Sequence, residues 1–332
     1  MSGARGRAEL AERLSAVARA RLPGVREIRG LDRLWGGAIR ETWRFEALGS
    51  ETAHSLVLRR SPGGKPVVEG LALASEARLL ELVRGIGVPT PCVYWVLGPS
   101  DGLGEGFLAG CPAGEFRPRR ILRSPALAAV RPQLAHQCGE LLARLHAAPT
   151  FGLDGLEERA PEQQFEELLA CYEAAEYPRP TFELAFCWLG DHMLDPVPPV
   201  LVHGDFRNGK LVVGEDGVRT VLDWELAHLG DPAEDLGLLC APYWRFGALE
   251  QAVGGFGSRE DLLAGYSTAG GAEIDPRRVR FWEIFAMLRQ GIRCMTLLAG
   301  ENAERAVERA SVGRRASAAE LELLASLAPS EH

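Results

Sequence analysis

Residues 201–213 read LVHGDFRNGKLVV, and two phosphate chemistries could use residues of these types at this spacing. Gly204 to Lys210 spells G-x-x-x-x-G-K, the beginning of a P-loop. A P-loop follows a strand, opens a helix and needs Ser or Thr after its lysine to reach magnesium. Here Leu211 follows, and LVVGEDGVRTVLDW is two apolar runs around a GEDG turn, which predicts a hairpin. The P-loop therefore fails. The other chemistry is phosphoryl transfer between carboxylates: one acidic side chain beside the attacking hydroxyl, and carboxylate or amide oxygens on magnesium, converging from a rigid hairpin. Asp205 and Asp223 bracket such a hairpin. A second glycine string, GLGEGF at 102–107, lacks G-x-G-x-x-G spacing and precedes a strand, so it reads as a turn.

Such a loop has to be held by a sheet and a helical body, and the chain supplies them in that order. MSGARGRAELAERLSAVARARLPG carries Leu10, Leu14 and Val17 at helical spacing, with Glu9 and Glu12 among them, which predicts an amphipathic helix rather than a transit peptide. REIRGLDRLWGGAIRETWRFEAL and HSLVLRRSP read as strands separated by Gly36-Gly37 and by Gly49. VEGLALASEARLLELVRGIG puts Leu71, Ala74, Leu79, Leu82 and Val83 on one helical face and stops at Gly85 or Gly87, before Pro89. CVYWVLG and GFLAG are further strands, and from about Leu122 the pattern turns helical, interrupted by strands only over 200–224. The order predicts an α+β chain of two unequal lobes, β-rich over 1–115 and mostly helical over 116–332, dividing near CPAGEFRPRR.

The totals narrow the partners. A chain of 332 residues with 46% hydrophobic content has enough apolar material for a core, and its net charge of −8 offers no general attraction to nucleic acid or an anionic membrane. A small molecule is the expected partner. Seven cysteines without a C-x-x-C pair exclude a zinc ribbon or disulfide framework and predict a reducing, cytoplasmic compartment. Glu283, Arg289 and Arg293 break the most hydrophobic C-terminal stretch before it reaches the ~20 residues of a membrane span. Of 37 basic residues only Lys65 and Lys210 are lysine.

His203 and Asp205, the hairpin, and then LDWELAHLGDPAEDLG together resemble the aminoglycoside phosphotransferase and choline kinase superfamily, whose loop reads H-x-D-x-x-x-x-N before a hairpin ending in a D-x-[DE] triplet. The chain looks most like the branch related to kinase-like domains fused to acyl-CoA dehydrogenases. The resemblance spans roughly Leu31 to Ala299 and implies a two-lobed, protein-kinase-like fold with ATP or GTP and Mg2+ as cofactors. It implies a hydroxyl group on a small molecule as the acceptor. It makes Asp205 the catalytic carboxylate and Asp223 a metal ligand, with His203 and Asp235 as structural supports of the loop. It puts Gly36 and Gly37 in the loop over the nucleotide phosphates, Arg59 where protein kinases carry a phosphate-contacting lysine, Glu76 as its ion-pair partner, and Ala109 and Cys111 in the hinge that meets the purine.

Position 210 departs from that pattern. Five residues beyond Asp205 the family has the metal-binding asparagine, and this chain has Lys210, whose ammonium has donors only and cannot ligate a cation. Asn208 is two residues out of register. Lys210 either pairs with Asp223 or a phosphate and supplies the charge of the missing ion, or pairs with Asp205 and leaves a non-catalytic pseudokinase that binds nucleotide, an acyl-CoA-like ligand or a protein. Asp231, Pro232 and Glu234 read as a helix start, and His146 as an ordinary helix residue. For the acceptor, eight carboxylates and one arginine between Asp154 and Glu176 suit a cation. Arg117, Arg119, Arg120 and Arg123 suit a phosphate-bearing molecule such as a CoA ester, and a solvated helix face accounts for either run.

Overall fold

The structure, a computed structural model, describes residues 2–34, 40–50, 53–61, 70–150, 155–298 and 315–328. Gly36 and Gly37, the expected phosphate loop, lie outside the described residues. Helix α1 (Ser2–Arg21) buries Leu10, Leu14 and Val17, as their spacing predicts. It covers one face of an antiparallel sheet of β1 (Val25–Leu34), β2 (Glu41–Gly49), β3 (Ala53–Ser61), β4 (Val93–Val96) and β5 (Glu105–Gly110), ordered β1-β2-β3-β5-β4. Successive side chains of a strand point to opposite faces. Leu56 and Leu58 therefore join Phe45 and Leu108 in the core beneath α1, while Val57 packs against the core on the other side. Arg59 shares the parity of Val57, so the pleat carries it to that second side.

Helix α2 (Leu73–Gly85) lies there and buries Leu73, Glu76, Ala77, Leu80 and Val83. The expected face is out of phase at its start, because Ala74 is exposed and Glu76 takes an inward position. A carboxylate on a helix's inner face breaks the apolar pattern, and it is tolerated because guanidinium groups meet it there.

The helical lobe comprises α3 (Pro118–Arg123), α4 (Leu134–His146), α5 (Pro161–Glu173), α6 (Pro180–Asp191), α7 (Pro232–Cys240), α8 (Arg259–Thr268), α9 (Pro276–Leu298) and α10 (Arg315–Leu327). Two small antiparallel pairs sit against it: β6 (Val200–Val202) with β9 (His228–Gly230), and β7 (Leu211–Gly214) with β8 (Gly217–Val221). The second is the hairpin read from the sequence. Strand β9 extends beyond the 200–224 range expected for strands, since three residues are too few to show a period. The lobes are stitched by backbone bonds: Leu71 N donates to Glu225 O (2.8 Å), Val221 N to Pro89 O (2.8 Å), and Glu115 and Val213 exchange a pair at 2.8 and 2.9 Å. Among the described residues no helix is long and apolar enough to cross a membrane.

Candidate active site

The floor of the site is a closed set of hydrogen bonds behind residues 203–205. Asp235, in the first turn of α7, is fully buried and accepts from the backbone N–H groups of His203 (2.8 Å) and Gly204 (3.0 Å). Gly204 has φ +74, and a Cβ there would lie 2.4 Å from the Leu226 carbonyl, so only glycine fits this turn. The His203 ring accepts the Asp205 N–H at Nδ1 (3.1 Å), and its Nε2–H donates to the Leu222 carbonyl (3.0 Å). That pairing fixes the neutral tautomer. Burial pushes the pKa of His203 below its ordinary value, and neither ring nitrogen is left for proton transfer. The same ring thus ties the backbone at 205 to the residue preceding Asp223.

Further back, His146 Nε2 lies 3.3 Å from Asp235 and His146 Nδ1 is 2.9 Å from the Tyr266 hydroxyl. His146 is therefore more than the ordinary helix residue its sequence context suggests. Asp231 caps α7 as read, accepting from Ala233 N at 2.9 Å. Glu234 does something else: its carboxylate meets His228 (3.1 Å), Gln164 (3.0 Å) and Arg289 (3.4 Å), and Arg289 also donates to the Gly204 carbonyl (2.9 Å). Burial would raise the Glu234 pKa, but His228 leads the groups that bring it down to about 2.

On the front, Asp205 and Asp223 converge on the Lys210 ammonium. Lys210 Nζ touches Asp223 and lies 3.4 Å from Asp205 Oδ2. The two pairings anticipated as alternatives therefore occur together. Arg207, which sequence reasoning missed, holds Asp205 from the other side at 2.7 and 3.3 Å, with its guanidinium stacked 3.8 Å above the Trp244 ring. Against burial, which would raise it, Arg207 and then Lys210 lower the Asp205 pKa to about 2. Asp223 is likewise held well below the carboxylate range: burial opposes its charge, and Lys210 and Arg59 outweigh burial. Asp223 has φ +61, a left-handed conformation that aspartate, with glycine and asparagine, tolerates better than most residues. Asn208 points elsewhere, its amide donating to the Gly254 carbonyl at 2.7 Å, so it cannot stand in for the residue at 210.

Arg59 joins the lobes. It contacts Glu76 (3.0 Å), Asp223 (3.2 Å) and Glu225 (2.7 Å). Burial works against its charge, but Glu76, Asp223 and Glu225 raise its pKa above the ordinary value. Arg40, also missed, is buried beside it, pairs with Glu76 and with the Leu71 carbonyl, and lies 3.8 Å from Glu225. The signal was faint, since Arg40 is one arginine among many at the mouth of a strand. The cluster thus holds Arg40, Arg59, Arg207 and Lys210 against Glu76, Asp205, Asp223 and Glu225: four cations and four carboxylates, with no net charge. Among the described residues no hydrogen bond or ion pair joins Ala109 or Cys111 to this cluster. Ala109 pairs with Val57 and Val93 in the sheet, and the Cys111 N–H donates to the Ser55 carbonyl at 2.9 Å.

The donor set can be tested against the two metal ions expected of such a site. Asp223 offers carboxylate oxygens to one divalent cation. Position 210 offers only an ammonium, which itself lies between the two aspartates, so the residues do not fit a second ion. No group of three or more His, Cys, Asp or Glu residues suited to a metal occurs among the described residues.

A sheet lobe, a helical lobe and an aspartate-bearing loop and hairpin at their junction define the kinase-like phosphotransferase class. The chain belongs to the phosphotransferase enzyme family, whose profile matches residues 30–282. It is 30% identical over 203 residues to mouse (Mus musculus) acyl-CoA dehydrogenase family member 10, a match covering 57% of this chain and 18% of that protein's length. Among solved structures it is similar to spectinomycin phosphotransferase in complex with ADP and spectinomycin (TM-score 0.64, 14% identity, 95% of this chain and 98% of that one). It is similar also to a choline/ethanolamine kinase family protein of Mesorhizobium loti (TM-score 0.55, 21% identity, 98% and 99%). At these identities the structures speak for the fold.

Proposed function

We propose that the chain is an ATP- or GTP-dependent phosphotransferase acting on a hydroxyl group of a small molecule, with residues 1–115 as the nucleotide-binding lobe and 116–332 as the catalytic and acceptor-binding lobe. The observation that carries this is the convergence of Asp205 and Asp223 on one ammonium at the lobe junction. In this reading Asp205 faces the acceptor hydroxyl, and Arg59, positioned by Glu76, meets the nucleotide phosphates. Lys210 carries the positive charge that a second metal ion supplies elsewhere in the family. One magnesium ion arriving with the nucleotide would take Asp223 as its protein ligand and neutralise phosphate charge. Transfer of a phosphoryl group depends mainly on positioning and charge neutralisation and asks little of the base, so an aspartate with a pKa of about 2 is compatible with it. Gly36, Gly37, Ala109 and Cys111 belong to the nucleotide side of this proposal, with the Cys111 N–H already engaged by Ser55. The nucleotide assignment is supported by the ADP bound to the spectinomycin relative.

A second reading has its own observation. Arg207 and Lys210 both hold Asp205, which suits a pseudokinase that binds nucleotide, an acyl-CoA-like ligand or a protein without transferring phosphate. ATP consumption measured over a panel of hydroxylated metabolites separates the two. The transferase reading expects one acceptor to stimulate turnover and Asp205→Asn to reduce that stimulated rate at least a hundredfold, about 3 kcal/mol of barrier. Nucleotide binding without any acceptor-stimulated turnover would establish the pseudokinase instead.

A further inference from the structure

A strongly basic depression beside the 203–210 loop is left unused by this reading. It is an open hollow of about 430 Å³ lined by Arg119, Arg120, Arg123 and Ser124. We propose that it binds a phosphate or pyrophosphate group, free or carried by a small molecule.

The helix that builds it can present its charges only outward. Ile121 of α3 is fully buried, so the helical period turns Arg119, Arg120 and Arg123 to the solvent side, where all three are exposed. Arg131 fixes the helix from behind, donating to the carbonyls of Ile121 (3.0 Å) and Ser124 (2.7 Å). Those carbonyls form the negative end of α3, and a fourth guanidinium covers them, so the helix end does not offset the arginines. Counter-charge is scarce. Glu115 is committed to Arg117 at 2.8 Å and reaches Arg120 only at 3.9 Å. Among the described residues Arg119 and Arg123 have no carboxylate partner within 4.0 Å. Three guanidiniums gathered with only the long Glu115–Arg120 contact as compensation, in a chain whose net charge is −8, favour a multiply charged anion over a neutral or cationic ligand. Guanidinium forks match phosphate oxygens in geometry, and Ser124 adds a hydroxyl donor. The hollow is wide and open, which suits a charged group with the rest of its molecule outside.

Its location ties it to the candidate site. A Cβ on Gly209 would come within 3.2 Å of both Pro118 Cγ and Arg207 Nη1. The first residue of α3 thus rests on the loop one position before Lys210, next to the guanidinium that holds Asp205. The inference does not depend on the phosphotransferase reading, because it concerns binding and not turnover.

Calorimetric titration of the full chain with inorganic pyrophosphate and with glucose 6-phosphate, each with and without saturating AMP-PNP, tests it. Saturable binding should persist in AMP-PNP. It should weaken at least tenfold, about 1.4 kcal/mol, in the Arg119→Ala/Arg123→Ala double variant and recover in the Arg119→Lys/Arg123→Lys variant. Tighter binding of glucose 6-phosphate would identify a phosphorylated molecule as the ligand, and tighter binding of pyrophosphate a free anion. Displacement by AMP-PNP, unchanged affinity in the alanine variant, or no saturable binding at millimolar probe would each overturn the proposal. These outcomes differ from failure of the transferase reading, which would appear as absent turnover with anion binding intact. Both arginines are exposed, so an unchanged melting profile verifies the fold of the variants.

Discussion

Two polar clusters lie on either side of the 203–210 loop, and they are built differently. The rear cluster, made of Asp235, His203, His146, Glu234 and His228, is sealed, and its bonds run largely to backbone groups or to partners equally buried. The front cluster joins Arg40, Arg59, Arg207 and Lys210 to Glu76, Asp205, Asp223 and Glu225 chiefly by charge pairs, and it opens to solvent: the side chains of Asp223 and Glu225 are 34% and 28% exposed. A sealed network whose polar groups have no water to turn to holds one geometry. An open cluster of equal and opposite charges can exchange partners, because an incoming phosphate or metal ion replaces one charge with another at small net cost. The rear thus acts as scaffold, and the front has the charge composition to exchange partners with a ligand.

The contrast can be broken first at the rear. Asp235→Ala strips the buried N–H groups of His203 and Gly204 of their acceptor, and each orphaned donor costs on the order of 1–3 kcal/mol, so a loss of about 3 kcal/mol in chemical denaturation is expected. A loss below about 0.5 kcal/mol, the level of an ordinary surface change, would mean the rear is not the scaffold.

At the front the effect should be electrostatic and not structural. Arg207→Gln leaves Asp205 facing Lys210 alone. Its pKa should rise by about one unit from its present value near 2, followed by carboxyl NMR, with folding stability changed by less than about 1 kcal/mol. An unmoved pKa would show that Arg207 does not control Asp205.

The smallest effect is a pH dependence at the rear. Burial opposes the charge on His228, but Glu234 raises its pKa above 6.5. A raised histidine contributes stability that is complete below pH 6.5 and is lost as pH rises through the folded value. The depressed Glu234 contributes stability that is complete above pH 4.5 and is lost as pH falls through about 2. The stability difference between the wild type and His228→Gln should therefore be largest between pH 4.5 and 6.5 and shrink toward alkaline pH. A difference that grows with pH would reverse the assigned ion pair.

Legibility followed contiguity. His203, Asp205, the hairpin and Asp223 fall within one short segment, and the apolar runs on either side of GEDG announce the turn that brings the aspartates together. Asp231 was readable for the same reason, since a cap acts on its own helix. The missed residues act across the chain. Arg40 meets Glu76 from a strand mouth, Glu234 is met by Gln164 from α5 and Arg289 from α9, and His146 reaches Asp235 from α4. Pairings of that kind leave no period in a sequence. Glu76 went further and distorted one: its place on the inner face of α2 shifted the expected apolar stripe onto Ala74. Arg207 lay inside the motif itself, yet its turn back onto Asp205 depends on Trp244, which lies 37 residues downstream in sequence.

The central claim is that the Lys210 ammonium stands where a second metal ion would otherwise be held. It is tested most directly by titrating AMP-PNP into the wild type and the Lys210→Asn variant at increasing magnesium concentration and in chelator. Wild-type affinity should rise with magnesium as the single ion at Asp223 fills, while the affinity of Lys210→Asn, which has a second ion to fill, should change at least tenfold more in apparent Kd between chelator and saturating magnesium. The same magnesium dependence in both proteins would contradict it.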